Sequence, residues 1–273
     1  MRAPAKPIPL AFTDERLRGR PVLLVHGFSH NRSVWSQLAY SLSDGLRPIS
    51  VDLRGHGQSP WSPEGHYDVR DYALDLPATL DSLGLERAVV VAHSLGGNAA
   101  TLFAAQAPER VESLVLLDTG PTLSFGAMMH IARDAGEAFQ SYDSVEEFRE
   151  RLAMTHPMGD AALIAEMARA GLVRRLDGRF EPAMDPGVMS GSSEQADLDA
   201  LERDLWAALA RVTCPTLVVR GGVSAVLDER VARRMVDEVL EHGRLETLER
   251  AGHGVMLDDA PGLLRCIEDF VAD

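Results

Sequence analysis

Positive charge is scarce in this sequence. Its 273 residues carry 27 Lys+Arg against 41 Asp+Glu, a formal net charge of −14. That balance argues against binding nucleic acid or an anionic membrane surface by bulk electrostatics. Lysine is nearly missing: Lys6 stands alone and every other basic residue is arginine, which with the abundant alanine fits the codon usage of a GC-rich genome. Cysteine is scarce as well. Cys214 and Cys266 each sit in an apolar stretch with no CxxC and no Cys/His cluster nearby, which suits a reducing cytosol and gives no metal site. No run approaches the ~20 apolar residues that span a bilayer. The N-terminal MRAPAKPIPLAF is broken by Pro4, Pro7 and Pro9 where a signal peptide would be continuously apolar. The expectation is a cytoplasmic protein, monomer or homodimer, without metal or cofactor, and with neither nucleic acid nor membrane as partner. The remaining composition, 45% hydrophobic and 25% charged, suits one globular domain or one domain carrying a large insertion.

Short, continuously apolar runs at 21–25, 46–51, 88–92 and 114–117 alternate with helical patterns at 31–43, 69–83 and 95–107. Strands without polar alternation, separated by amphipathic helices, predict a parallel sheet covered on both faces. The rhythm breaks at Asp118-Thr119-Gly120-Pro121. From there to about 203 the pattern is helical (144–153, 160–173, 198–209) with no clear strand, and it holds seven of the ten methionines. Strand and helix alternation then resumes at 216–220, 228–240, 244–248 and from Pro261. The fold class read from this is α/β: a mostly parallel central sheet flanked by helices, interrupted by an insertion far longer than an ordinary loop.

The densest chemical signal is Val91-Ala92-His93-Ser94-Leu95-Gly96-Gly97, where a strand turns directly into a helix. A serine at such a turn presents its hydroxyl away from both elements, and the helix start aims N–H groups and the positive end of its dipole at the same point. The competing reading is that Ser94 simply caps the helix. Further motifs are His26-Gly27-Phe28 after the first strand, Asp52-Leu53-Arg54-Gly55-His56-Gly57-Gln58-Ser59 after the next, and Ala251-Gly252-His253 near the end.

With these four motifs in this order, nearly the whole chain resembles the α/β-hydrolase fold family. The resemblance implies a core domain of 1–120 and 206–273 and a helical cap of 121–205 roofing the active site. It implies Ser94 as nucleophile, His253 as base, and the backbone N–H groups of Phe28 and Leu95 as oxyanion donors. The acid is displaced. In many members it stands three residues after the glycine ending the strand that here spans 216–220, and that position is Ser224. Two carboxylates remain as candidates. Asp118 ends the strand beside the nucleophile strand, where some branches, including haloalkane dehalogenases, place the acid. Asp228 is the alternative, with helix capping as its competing role. Asp118 is the preferred acid.

His26, His56 and His93 are read as structural at turns and strand ends. His30, His66, His130, His156 and His242 are read as solvated or capping, with His30 also able to approach the pocket mouth. Asp52 is read as turning the loop that follows it. Phe125, Met128, Met129, Phe139, Met154 and Met158 are candidate pocket walls, with cap core as their rival role; no arginine is assigned as a carboxylate clamp. Because relatives with an aspartate at the elbow perform dehalogenation or epoxide opening, Ser94 favours acyl transfer. The expected substrate is a small, largely apolar ester or lactone. Two alternatives stay open: a serine-dependent hydrolase of carbon–carbon bonds, which needs a polar clamp, and a catalytically weak ligand-binding protein on the same scaffold. With few residues before position 21, fewer than eight strands are expected.

Overall fold

The computed structural model describes residues 5–122, 139–190 and 195–272. Val22, Leu23, Leu24 and Val25 are all fully buried. Successive side chains of a strand point to opposite faces, and here Leu23 and Val25 join one apolar cluster while Val22 and Leu24 join the other. The same division separates Val90 and Ala92 from Val89 and Val91. A strand buried on both faces must be apolar at every position, which is why the runs are continuous.

Among the described residues the main sheet has seven strands in the order β1-β3-β2-β4-β5-β8-β9. They are β1 (Phe12–Asp14), β2 (Arg20–Val25), β3 (Leu46–Val51), β4 (Ala88–His93), β5 (Val111–Leu117), β8 (Thr216–Gly221) and β9 (Gly243–Leu248). Only β1 pairs antiparallel, on β3; β2, β3, β4, β5, β8 and β9 run parallel. The carboxyl ends of β4, β5 and β8 lie side by side, with His93 opposite Leu117 and Leu117 opposite Val219.

Helices cover both faces. On one face lie α2 (Val69–Ser82), α3 (Leu95–Gln106) and the second half of α6 (Gln195–Leu209), contributing Leu76, Leu80, Phe103, Leu205 and Leu209. On the other lie α1 (Ser36–Ser41) and α8 (Ala260–Ala272), contributing Leu38, Leu263 and Ile267. Asp68 and Asp71 start α2 with a reciprocal capping box. Two expected helices are subdivided: a 3₁₀ turn (Arg32–Trp35) precedes α1, and the helix expected over 228–240 runs as α7 (Glu229–Arg234) and then a π turn (Met235–Val239).

Between β5 and β8 the described residues include α4 (Val145–Thr155) and α5 (Ala161–Ala170). They also include a hairpin the sequence did not suggest, β6 (Leu172–Arg174) paired with β7 (Phe180–Pro182). Leu172 and Val173 read as the end of a helix, but Gly171 closes α5 and Gly178, at φ 90°, turns the chain back. Strands of three residues are too short for alternation to register. The segment is tied down where the Gly57 N–H donates to the Ala183 carbonyl and the Asp185 N–H to the Gly55 carbonyl, both at 2.7 Å. No helix among the described residues is long and apolar enough to cross a membrane.

Candidate active site

Ser94 is the single residue between β4 and α3, at φ 51° and ψ −119°. This conformation is unfavourable for a residue with a Cβ, and its surroundings impose it. The Ser94 N–H donates to the Leu117 carbonyl at 3.2 Å, and Thr119 Oγ1 donates to the Ser94 carbonyl at 2.9 Å. The strand and helix approach so closely that a Cβ on Gly96 would lie 2.4 Å from the His26 carbonyl oxygen. The Ser94 side chain makes no capping bond to α3, so helix capping does not account for it.

Ser94 Oγ instead lies 3.1 Å from His253 Nε2, and His253 Nδ1 lies 2.8 Å from Asp118 Oδ2. With the ring proton on Nδ1 donated to the carboxylate, Nε2 offers its lone pair to the serine hydroxyl. His253 comes from the loop after β9, and three contacts hold that loop. His93 Nε2 donates to the His253 carbonyl at 2.9 Å, and the Gly252 N–H donates to Asp258 Oδ2 at 2.8 Å. The end of β8 packs flush against the loop as well: a Cβ on Gly221 would meet the Gly252 carbonyl oxygen at 2.1 Å.

Asp118 follows β5 directly, at φ 45°, and is fully buried. Aspartate is among the few side chains that tolerate this backbone region. A buried carboxylate needs donors. Besides His253, the Gly221 N–H donates to Oδ1 at 3.0 Å and Ser224 Oγ donates to Oδ2 at 2.5 Å. The position where the family's acid was expected thus holds a serine that contacts Asp118. Asp228 is elsewhere: it caps α7, where its Oδ1 accepts the Arg230 N–H at 2.8 Å.

Ser94 and His253 border a cavity of about 270 Å³. Phe28, His30 and His93 line it from the sheet side, and Phe148, Arg151, Leu152, His156 and Met158 from the inserted segment. The His30 ring stacks on His93 with centroids 5.9 Å apart and lies 5.8 Å from His156. Leu95 is the first residue of α3, so its N–H has no acceptor within the helix. Among the described residues no cluster of His, Cys, Asp or Glu is arranged to hold a metal ion.

The alpha/beta hydrolase fold family matches residues 20–260. The chain belongs to this family. It is 31% identical over 213 residues to a 2-(acetamidomethylene)succinate hydrolase of Mesorhizobium japonicum, covering 78% of this chain and 74% of that one. It is 28% identical over 268 residues to a 2-hydroxy-6-oxo-2,4-heptadienoate hydrolase of Pseudomonas putida, covering 93% and 90%. The crystal structure of an E-2-(acetamidomethylene)succinate hydrolase superposes with a TM-score of 0.82 at 26% identity, covering 97% of this chain and all of that one.

Within this alpha/beta hydrolase, several residues differ from their sequence-based reading. His66 is buried rather than solvated and His156 lines the cavity, while His30 lines it too, the second of the two places its reading allowed. His30 and His156 lie far apart in sequence, and no pattern pairs them. Arg151 also lines the cavity although no arginine was assigned there; on α4 it reads as one more charge in Glu-Glu-Phe-Arg-Glu-Arg. Of the expected walls, Met158 lines the cavity, whereas Met154 is 74% exposed and neither it nor Phe139 borders it. Phe125, Met128, Met129 and His130 lie outside the described residues. His26, His56 and His93 are fully buried. Burial lowers the pKa of His26 and His93 well below the ordinary value and that of His56 to about 4, so all three are neutral near pH 7. Burial raises the Asp258 carboxyl. Asp52 binds the loop around it, accepting the Arg32 N–H at 2.7 Å and the Gln58 N–H at 2.8 Å.

Proposed function

We propose that the chain is a serine hydrolase that cleaves carboxylic ester or lactone bonds of small substrates through an acyl-enzyme. One observation carries the reading: hydrogen-bond distances run unbroken from Ser94 Oγ through both ring nitrogens of His253 to Asp118, at the wall of a cavity. Ser94 Oγ attacks the carbonyl carbon as its proton passes to His253 Nε2, and Asp118 stabilises the resulting imidazolium. The negative charge that develops on the carbonyl oxygen is held by the N–H groups of Leu95 and Phe28; one such donor is worth ~3–4 kcal/mol of barrier. Collapse of the tetrahedral intermediate expels the alcohol, which takes the proton from Nε2. Water then attacks the acyl carbon as Nε2 removes its proton, and the acid leaves with Ser94 regenerated.

In this reading residues 121–205 act as the cap over a core of 1–120 and 206–273. Phe28, Phe148 and Leu152 give the cavity an apolar side suited to an acyl or aromatic group. A catalytically weak binder would follow from a histidine left unoriented by the displaced acid, and the 2.8 Å contact between Asp118 and His253 speaks against that. The carbon–carbon hydrolase alternative gains an observation, since Arg151, His30 and His156 supply the polar flank it requires. The names of both curated relatives cited above also carry carboxylate substrates.

Steady-state assays with p-nitrophenyl butyrate, a γ-lactone and a 2-hydroxy-6-oxo-dienoate test these readings. Ester or lactone turnover that Ser94→Ala reduces by at least ~10⁴-fold is expected. A dienoate kcat/KM more than about tenfold above that of the esters would replace ester cleavage by carbon–carbon cleavage. Single acylation without turnover would overturn both.

A further inference from the structure

We infer that Asp258 is a positioning residue for His253: its carboxylate locks the backbone that carries the ring, and its charge favours the protonated ring through space. The inference rests on the serine-hydrolase reading above.

His253 stands between Gly252 and Gly254, and glycines leave the backbone free to turn. Contacts must therefore supply the rigidity that keeps His253 Nε2 at 3.1 Å from Ser94 Oγ. Directly after His253 the chain folds back: the Gly254 carbonyl accepts the Leu257 N–H at 2.8 Å and the Asp258 N–H at 2.9 Å. This turn returns the Asp258 side chain to the start of the loop, where Oδ2 accepts the Gly252 N–H at 2.8 Å. The loop is thus closed on the residue just before His253. A Cβ on Gly252 would stand 3.2 Å from the same oxygen, so the carboxylate lies against the loop backbone. On the other side of the ring, His93 Nε2 donates to the His253 carbonyl at 2.9 Å. The two braces differ in charge. Burial keeps His93 neutral near pH 7, whereas a bond to an ionised acceptor is roughly twice as strong as a neutral one.

Asp258 also borders the cavity beside His253. Burial raises its carboxyl; the Gly252 N–H and the charge of His253 act against that rise, and Asp118 adds to it. Electrostatic coupling is mutual, so a ring charge that favours the Asp258 carboxylate is favoured by it in return. Three other titratable groups stand around the ring. Asp118, after β5, meets Nδ1 at 2.8 Å, and His93, ending β4, has its ring centroid 4.5 Å away. His156 follows α4, and its Nδ1 would lie 3.4 Å from a Cβ on Gly254. Asp118 orients the ring by direct contact. Asp258 fixes the backbone beneath it and adds a second negative charge when the imidazolium forms.

The test compares D258A, D258N and D259N by p-nitrophenyl butyrate kinetics as a function of pH, with thermal melting of each variant. D258A removes brace and charge together and is expected to lower kcat by ~10- to 100-fold, the worth of one hydrogen bond to a charged group, with KM changed less than about twofold. D258N keeps an oxygen for the Gly252 N–H and removes only the charge, so kcat should stay within about fivefold of the wild type. Activity needs the unprotonated ring, and losing a negative charge disfavours the protonated one. The acid limb of kcat/KM should therefore move to lower pH in D258N, by ~0.3–1 unit. Asp259 is the control: its Oδ1 accepts the Gly262 N–H at 2.9 Å, and it does not border the cavity. D259N removes the same charge one residue away and should move the limb by less than about 0.1 unit. A residue that only supported the fold would lower the melting temperature and leave the limb in place. The inference is overturned if D258A keeps kcat within about twofold of wild type, or if D258N moves the limb no further than D259N. Should D258A not fold, D258N carries the decision. Failure of the underlying reading looks different: turnover would then survive Ser94→Ala.

Discussion

The floor of the cavity stands on strand ends whose residues are 0–1% exposed, among them His93, Leu117, Asp118 and Val219. Across the cavity from it, α4 has no buried residue, although it supplies Phe148, Arg151 and Leu152 to the wall. The difference follows from two tasks. Proton transfer needs groups fixed to within about half an ångström, which only close-packed elements provide. Substrate recognition needs surface chemistry, which a lightly packed helix can vary at little cost to the core. The comparison teaches that changes in the floor should act on chemistry or on the fold, and changes in the roof on substrate choice.

The largest effect that sharpens this contrast is in the acid. Asp118→Asn should lower kcat by ~10⁴. Asp228→Asn, at an exposed cap whose geometry asparagine reproduces, should leave kcat within about twofold. Equal losses at the two positions would break the assignment. Next is the buried core, where Arg54 and Asp75 form a bidentate pair at 2.6 Å. Arg54→Met leaves that carboxylate uncompensated and should cost ~3–5 kcal/mol in a urea melt; a loss below about 1 kcal/mol would mean that the pair does not hold this side of the core.

A smaller effect is set by pH. His56 stays neutral in the folded protein down to about 4, whereas the unfolded chain takes up its proton near the ordinary histidine value of 6.5. The unfolded state therefore binds more protons between these values, and stability must fall as pH drops through that window. The expected slope is about 1.4 kcal/mol per pH unit for each histidine held neutral, and His26 and His93 act in the same direction. Urea melts at pH 7 and pH 5 measure it; a flat or rising stability would contradict the buried, neutral rings. Smallest are the roof substitutions. Phe148→Ala and Leu152→Ala should change kcat/KM by ~10-fold or less, unequally among acyl chain lengths, with stability shifts near 1 kcal/mol. A uniform loss of kcat for all substrates would show that α4 takes part in the chemistry.

The same contrast explains what was legible in the sequence. Val22–Val25 and Ala88–Ala92 could be read because burial on both faces demands uninterrupted apolar residues. Ser94 could be read because a strand must turn into a helix between two small residues. Asp118 required knowing which strand lies beside which, and it could be placed only from the sheet order the family resemblance implied. Arg151 and His156 were invisible in their present positions, and so was the bond from Ser224 to Asp118, because each meets its neighbours through contacts between distant parts of the chain. The β6–β7 hairpin was hidden for a local reason: three-residue strands carry no readable period.

The most direct test of the central claim is mass spectrometry of the wild-type protein after reaction with a fluorophosphonate, which labels a serine only where an adjacent base activates it. The account predicts one adduct, on the peptide bearing Ser94, lost in Ser94→Ala and formed at least ~100-fold more slowly in His253→Ala. An adduct on another residue, or labelling of Ser94 at the same rate without the imidazole, would contradict it.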